Sequence, residues 1–362
     1  MKKLIKQYRP YKCLESINSL YIEKSEHGYI SKPCCLYKTL DNNYVDTVEE
    51  LLDNPVINEI REGFKDWRRP ECNTCILDEK IGKRSRRLKN KNYGYDGKIR
   101  YWDIRPSNTC NLKCAMCNFS NSSKWKEDID ILEKYNGTTD SGKDRKSLDW
   151  DWIYEKCVDT AREIYIAGGE PFYMKNVHDF LDKLSRNQWN CTNTLIRIQT
   201  NGVSNTQSFL DILARFEKLE FSISIDAWGD VNELIRFPTN HDTFVKNTDE
   251  LLKLSTASTK FNITVQAMNL VAIQDLIDNL TTRWNIDYDM HKLVYPTYLS
   301  ISCLKPSVVN SVVENTSSDQ LKNMLKGYVY DSDANSIMQN YLIDLDNKRN
   351  TNSKQIIPWC FE

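Results

Sequence analysis

From residue 98 to about 300 the sequence alternates between short strand-like runs and amphipathic stretches, and this alternation restricts the fold more than any other feature. Strands are expected over 99–104, 163–167, 195–200, 220–226, 262–268 and 288–295, with helices over 152–161, 177–186, 206–216, 244–254 and 271–284. Strands separated by helices of this length call for right-handed crossovers and a parallel α/β sheet. Six such units suit a partial (β/α)6 barrel of the TIM type, open on one side, with functional residues at the C-terminal strand ends. The expected divisions are a small, irregular, Cys-rich N-terminal domain and linker over 1–97, the barrel over 98–310, and a helical closing segment over 311–362. Within the first, Glu26-His27-Gly28 reads as the tip of a hairpin between Tyr21-Ile22-Glu23 and Tyr29-Ile30-Ser31. Residues 46–64 carry apolar residues at helix spacing, interrupted near Pro55.

The chain of 362 residues fits about two domains. Its 40% hydrophobic and 27% charged residues exclude wholesale disorder. Lys and Arg number 49 against 50 Asp and Glu, so no global field draws the chain to nucleic acid or an anionic membrane. The basic run over 80–91 lacks interleaved aromatic residues and reads as a solvated linker. No run approaches the ~18 apolar residues of a membrane span. Met1-Lys-Lys-Leu-Ile-Lys6 opens like a signal peptide, but no apolar core follows, and a cytoplasmic location is expected.

Clustered cysteines in a reducing compartment bind metal or do redox chemistry more often than they form disulfides. Of the twelve here, Cys157, Cys191, Cys303 and Cys360 stand alone, while the rest group as Cys13, Cys34-Cys35, Cys72-x2-Cys75 and Cys110-x3-Cys114-x2-Cys117. The last group follows the first expected barrel strand. Three thiolates within eight residues leave one corner of a tetrahedral site open, and no fourth Cys or His follows in the loop for structural zinc. A cubane iron–sulfur cluster with one iron left for substrate or cofactor explains the pattern better.

With that triplet the chain resembles the radical S-adenosylmethionine superfamily over residues 98 to about 300. The residue before the third cysteine, usually aromatic in the family, is Met116 here. Ile166-Ala-Gly-Gly-Glu-Pro171 resembles the family's Gly-Gly-Glu-Pro segment, which implies that Gly168, Gly169 and Glu170 hold the amino group of the cofactor's methionine. Gln199-Thr-Asn-Gly202, with Thr200 and Asn201, resembles the segment near the ribose. Ser222-Ile-Ser-Ile-Asp226 ends the next strand. By position Ser224 and Arg236 match the pair that grips the methionine carboxylate in peptide-modifying relatives, with Asp226 beside them.

The N-terminal cysteines are similar to the SPASM/twitch segment that carries an auxiliary 4Fe–4S cluster, although that segment usually follows the barrel and here precedes it. The resemblance implies Cys13, Cys34, Cys72 and Cys75 as ligands, with Cys35 as the spare; four thiolates would also suit zinc. Cys360 is an alternative ligand, or a buried packing cysteine. Cys303, just past the sixth strand, is the candidate hydrogen-atom donor for an epimerisation, against the plainer reading of a buried thiol. The four histidines form no ligand pattern, and His291 on the sixth strand reads as an ordinary core or surface residue. The resemblance implies an oxidoreductase or isomerase acting on a peptide, with a sugar, aminocyclitol or nucleotide as the other substrate reading. It also implies a reducing donor such as flavodoxin or ferredoxin. A non-catalytic cluster or zinc protein is the alternative of another class.

Overall fold

The computed structural model describes residues 13, 18–32, 34–37, 44–53, 58, 72–80, 85–86, 98–137 and 146–362. Nine strands form one unclosed sheet in the order β3-β2-β1-β4-β5-β6-β7-β8-β9. They are β1 Ser19–Ser25, β2 Gly28–Lys32, β3 Tyr44–Val45, β4 Tyr101–Arg105, β5 Glu163–Ile166, β6 Leu195–Thr200, β7 Leu219–Ser224, β8 Lys260–Val265 and β9 Tyr288–Lys292. Neighbours from β4 to β9 pair in parallel, as expected for a partial barrel.

The hairpin β1–β2 forms as expected, but it also extends the barrel. Ser19 to Glu23 pairs in parallel with Tyr101 to Arg105. The boundary expected at residue 98 therefore runs between two hydrogen-bonded strands. Parallel pairing across so long a connection leaves no mark in the local pattern. The helix expected over 46–64 is described only over Glu50–Asp53 and at residue 58. Its remainder, most of the basic run and the linker to residue 97 lie outside the described residues.

Strand alternation sorts the side chains between two faces. Trp102, Ile104, Ile164, Ile166, Ile196, Ile198, Phe221, Ile223, Phe261 and Ile263 are all buried in the core beneath the helices. The helices supply matching stripes. Val177, Phe180, Leu181 and Leu184 follow i, i+3, i+4, i+7 on Lys175–Ser185, and Ile273, Leu276, Ile277 and Leu280 do so on Ile273–Arg283. Starts are capped where the sequence places Asp or Asn: Asp149 accepts from Trp152 N at 3.0 Å, and Asn240 from Thr243 N at 2.9 Å. The opposite, concave face carries the polar residues of each strand. No helix among the described residues is long and apolar enough to cross a membrane.

Candidate active site

The loop that follows β4 carries Cys110, Cys114 and Cys117, and its backbone is fixed from several sides. Lys113 N donates to Phe237 O and Ala115 N to Ile235 O, each at 2.7 Å. Trp125 Nε1 donates to Cys114 O at 3.2 Å, and Tyr341 Oη to Ala115 O at 2.7 Å. Below the loop, buried Asp128 meets Lys113 Nζ at 2.8 Å and Arg349 Nε at 3.0 Å. Tyr341 and Arg349 belong to the long helix Ser332–Arg349, so the closing segment clamps the cysteine loop. Burial pushes the Cys110 thiol up to about 12. Cys114 is held below the ordinary thiol value by a hydrogen bond from Cys117, and the Arg236 charge adds to this.

Against this loop lies the turn after β5. At Gly169 φ is +54°, and a Cβ there would stand 2.2 Å from Thr109 O, so only glycine lets the two loops touch. Glu170 N donates to Thr109 O at 2.8 Å. The Glu170 carboxylate is fully buried and faces away from the open cavity. Oε1 accepts from Phe172 N at 3.1 Å and Thr200 Oγ1 at 2.8 Å, and Oε2 from Asn201 N at 2.6 Å. It ties the turn after β5 to the end of β6. Burial pushes this carboxyl up to about 7 despite those donors. The expected ammonium acceptor is thus engaged by the protein itself, and Gly168 and Gly169 are the part of the motif that reaches the cavity.

Arg236 follows the short helix Asp230–Ile235, and its Nε lies 2.8 Å from Asp226 Oδ2. Asp226 is anchored in turn by Thr264 N at 2.7 Å. Burial, the largest single influence, opposes the arginine's charge, but Asp226 together with Cys114 and Cys117 outweighs it and raises the Arg236 pKa. Asp226 stands behind Arg236, while Arg236 and Ser224 face the cavity.

One cavity of about 530 Å³ at the C-terminal strand ends gathers Cys110, Cys114, Cys117, Gly168, Gly169, Thr200, Asn201, Ser224 and Arg236. It also takes in residues not singled out from the sequence: Tyr21, Arg105, Tyr165, Gln199, Ser222, Asn262 and Thr264. His291, read as an ordinary histidine, lines it too. Their signal was the polar half of each strand's alternation, as in Tyr101-Trp-Asp-Ile-Arg105.

Cys303, expected as a hydrogen-atom donor, lies in the core. It is fully buried in the apolar core, its Sγ donates to Thr297 O at 3.4 Å, and burial pushes its thiol up to about 11. It is not among the residues that line the cavity. Cys360, also fully buried, donates from Sγ to Ala267 O at 3.5 Å and is a packing cysteine. At the N-terminal side, Cys13 and Tyr37 are buried together, with Cys34 and Cys72 packed against them. Cys75 is half-buried one turn beyond Cys72, on the helix Asn73–Lys80. Cys35 lies within electrostatic reach of Arg105 and Tyr165.

Residues 104–279 match the family model of the radical SAM superfamily. This segment is a radical SAM domain. Among curated proteins none matches the chain. The solved structure of native anSMEcpe with bound AdoMet is similar at 14% identity and TM-score 0.42, over 63% of this chain and 62% of that one. Streptococcus suis SuiB bound to S-adenosylmethionine is similar at 15% identity and TM-score 0.41, over 92% of this chain and 70% of that one. SuiB bound to precursor peptide SuiA gives 16% identity and TM-score 0.40, over 90% and 60%.

Proposed function

We propose that this chain is a radical S-adenosylmethionine enzyme acting on a peptide or peptide-derived substrate, with a small sugar, aminocyclitol or nucleotide as the second reading. The observation that carries it is the convergence of three thiols, a glycine turn and a buried arginine on one cavity at the strand ends. A 4Fe–4S cluster and S-adenosylmethionine, when bound, supply a carbon-centred radical able to remove an unactivated hydrogen. The donor set fits both groups: three cysteine thiols leave one iron open, and the cofactor's carboxylate and ammonium find a guanidinium and a half-buried glycine backbone. Cys110, Cys114 and Cys117 hold the cluster. Arg236 and the Ser224 hydroxyl receive the carboxylate, and the Gly168–Gly169 backbone receives the amino group. Asn201, held by its Nδ2 to Asn111 Oδ1 at 2.7 Å, borders the same space. Glu170 and Asp226 keep these groups in place from behind, and the packed loops exclude water.

Cys13, Cys34, Cys72 and Cys75 hold an auxiliary 4Fe–4S cluster in this reading, and a flavodoxin- or ferredoxin-type donor supplies the reducing electron. The packing of Cys13, Cys34 and Cys72 around Tyr37 supports the choice of Cys34 over Cys35. Anaerobic reconstitution should give about eight irons per chain if two such clusters form. Replacing Cys110, Cys114 and Cys117 with Ala should remove about half the iron and all 5′-deoxyadenosine formation under reduction. Replacing Cys72 and Cys75 should remove the other half. Zinc without iron at the N-terminal cysteines would overturn the auxiliary cluster. Wild-type chain that loads iron but forms no 5′-deoxyadenosine would overturn the enzyme reading.

A further inference from the structure

The cavity is lined by two arginines and a histidine, and by no aspartate or glutamate among the described residues. Arg236 is taken up by the reading above. Arg105, three strands away along the sheet, is left without a role. Tyr21 on β1, Asp103 on β4 and Tyr165 on β5 form one row across neighbouring strands. Arg105, two residues beyond Asp103, folds back over that row. Its Nε lies 3.0 Å from Asp103 Oδ1, and its guanidinium carbon lies 5.5 Å from the Tyr21 ring centre and 5.2 Å from that of Tyr165. The flanking rings are themselves held: Tyr21 Oη donates to Glu23, and Tyr165 Oη to Gln199 Oε1 at 2.5 Å. The fork is therefore fixed on three sides. Its two terminal nitrogens have no hydrogen-bond partner among the described residues, and Arg105 lines the cavity.

Asp103 does not cancel this charge, because Arg86 and Lys32 also act on that carboxylate. Resting on the reading of the cavity as a radical S-adenosylmethionine site, we infer that the substrate carries a carboxylate that docks on Arg105. A fixed fork with one edge open suits the two coplanar oxygens of a carboxylate. A phosphate dianion calls for more positive charge, and among the described lining residues Arg236, already engaged in the reading above, is the other permanent cation. The anchor would set which carbon–hydrogen bond faces the cluster loop, making Arg105 a specificity-determining residue.

The test uses the full chain, reconstituted anaerobically and saturated with S-adenosylmethionine, and three probes: acetylglycine, acetylglycinamide and inorganic phosphate. Binding is read by saturation-transfer NMR and calorimetry. Acetylglycine should bind the wild type, and Arg105→Gln should weaken it about ten- to hundred-fold, the range for losing a charge-assisted pair. Arg105→Lys should fall between the two, since it keeps the charge and loses the fork. Because Arg105→Gln leaves Asp103 buried without its partner, Asp103→Asn with Arg105→Gln is measured as well and should show the same loss. Equal binding of acetylglycine and its amide, tighter binding of phosphate, or unchanged affinity in both Gln variants would each overturn the inference. 5′-Deoxyadenosine formation by the wild type is scored separately. If that is absent the functional reading fails; if it is present while the carboxylate probe fails, only this inference does.

Discussion

Replacing Glu170 with glutamine should make the stability of the cluster-free chain less dependent on pH. The folded-state pKa is about 7 against an ordinary 4.5, chiefly because burial disfavours the charged form. Below pH 4.5 the group is protonated in folded and unfolded chains alike, and it makes no difference. Between pH 4.5 and 7 the unfolded chain gives up this proton first, so stability falls as pH rises, and above about 7 the loss is complete. Each pH unit between the two values is worth about 1.4 kcal/mol, so the full effect is about 3 kcal/mol. Glutamine is neutral and has the same shape, but its amide nitrogen cannot accept, so at least one of the three donors to Glu170 loses its acceptor at about 1–3 kcal/mol at every pH. Alanine differs, since it orphans Phe172 N, Thr200 Oγ1 and Asn201 N, at about 1–3 kcal/mol for each buried group. Anaerobic urea titrations at pH 5 and pH 8 measure this directly. Relative to the wild type, Glu170→Gln should gain about 2–3 kcal/mol between pH 5 and pH 8, and Glu170→Ala should fall below the wild type at pH 5. The cysteines titrate in every chain, so the difference between chains isolates this carboxyl. Parallel pH profiles for wild type and glutamine variant would refute the reasoning.

Asp128→Ala removes the shared partner of buried Lys113 and Arg349. Breaking a buried pair this way costs about 3–5 kcal/mol, so the urea midpoint should fall and reconstituted iron at Cys110, Cys114 and Cys117 should drop, as read by iron analysis. Arg236→Gln should weaken S-adenosylmethionine binding about ten- to hundred-fold by calorimetry, and wild-type affinity would show that another group receives the carboxylate.

The strand–helix alternation was legible because each element writes its own period. The strand expected over 195–200 matches β6, and the helix stripe at Ile273, Leu276, Ile277 and Leu280 lies where the spacing puts it. The cysteine triplet and glycine turn were legible because each is local in the chain. Relations across the chain were not. Nothing in 19–25 announces pairing with 101–105. Nothing near Cys303 says that the helix Ser332–Arg349 covers it, with Asn335 Nδ2 donating to Cys303 O at 2.7 Å. Glu170 is legible as a carboxylate of the glycine motif, while its partners Phe172, Thr200 and Asn201 are not. The motif shows that a carboxylate is present, whereas the donors that turn it inward come from the end of another strand.

The acids of this site share one position: each stands a layer behind the group that faces the cavity. Asp226 backs Arg236, Asp103 backs Arg105, Glu170 backs the glycine turn, and Asp128 backs the cysteine loop. Buried ion pairs are weak contributors to stability, since desolvation offsets most of the attraction. For Glu170 the balance is unfavourable at neutral pH, as its raised pKa shows. What such pairs do well is fix a long side chain or a loop in one geometry without placing a negative charge where a ligand must sit. A carboxylate on the cavity wall would repel an anionic group and compete for the guanidinium forks. Set one layer back, it leaves the terminal nitrogens of Arg105 open, and it holds the cation in place before any ligand arrives. The loss expected from neutralising Arg105 is therefore a loss of carboxylate recognition as well as of charge, and Arg105→Lys separates the two: it retains the cation but cannot hold the fork between Tyr21 and Tyr165.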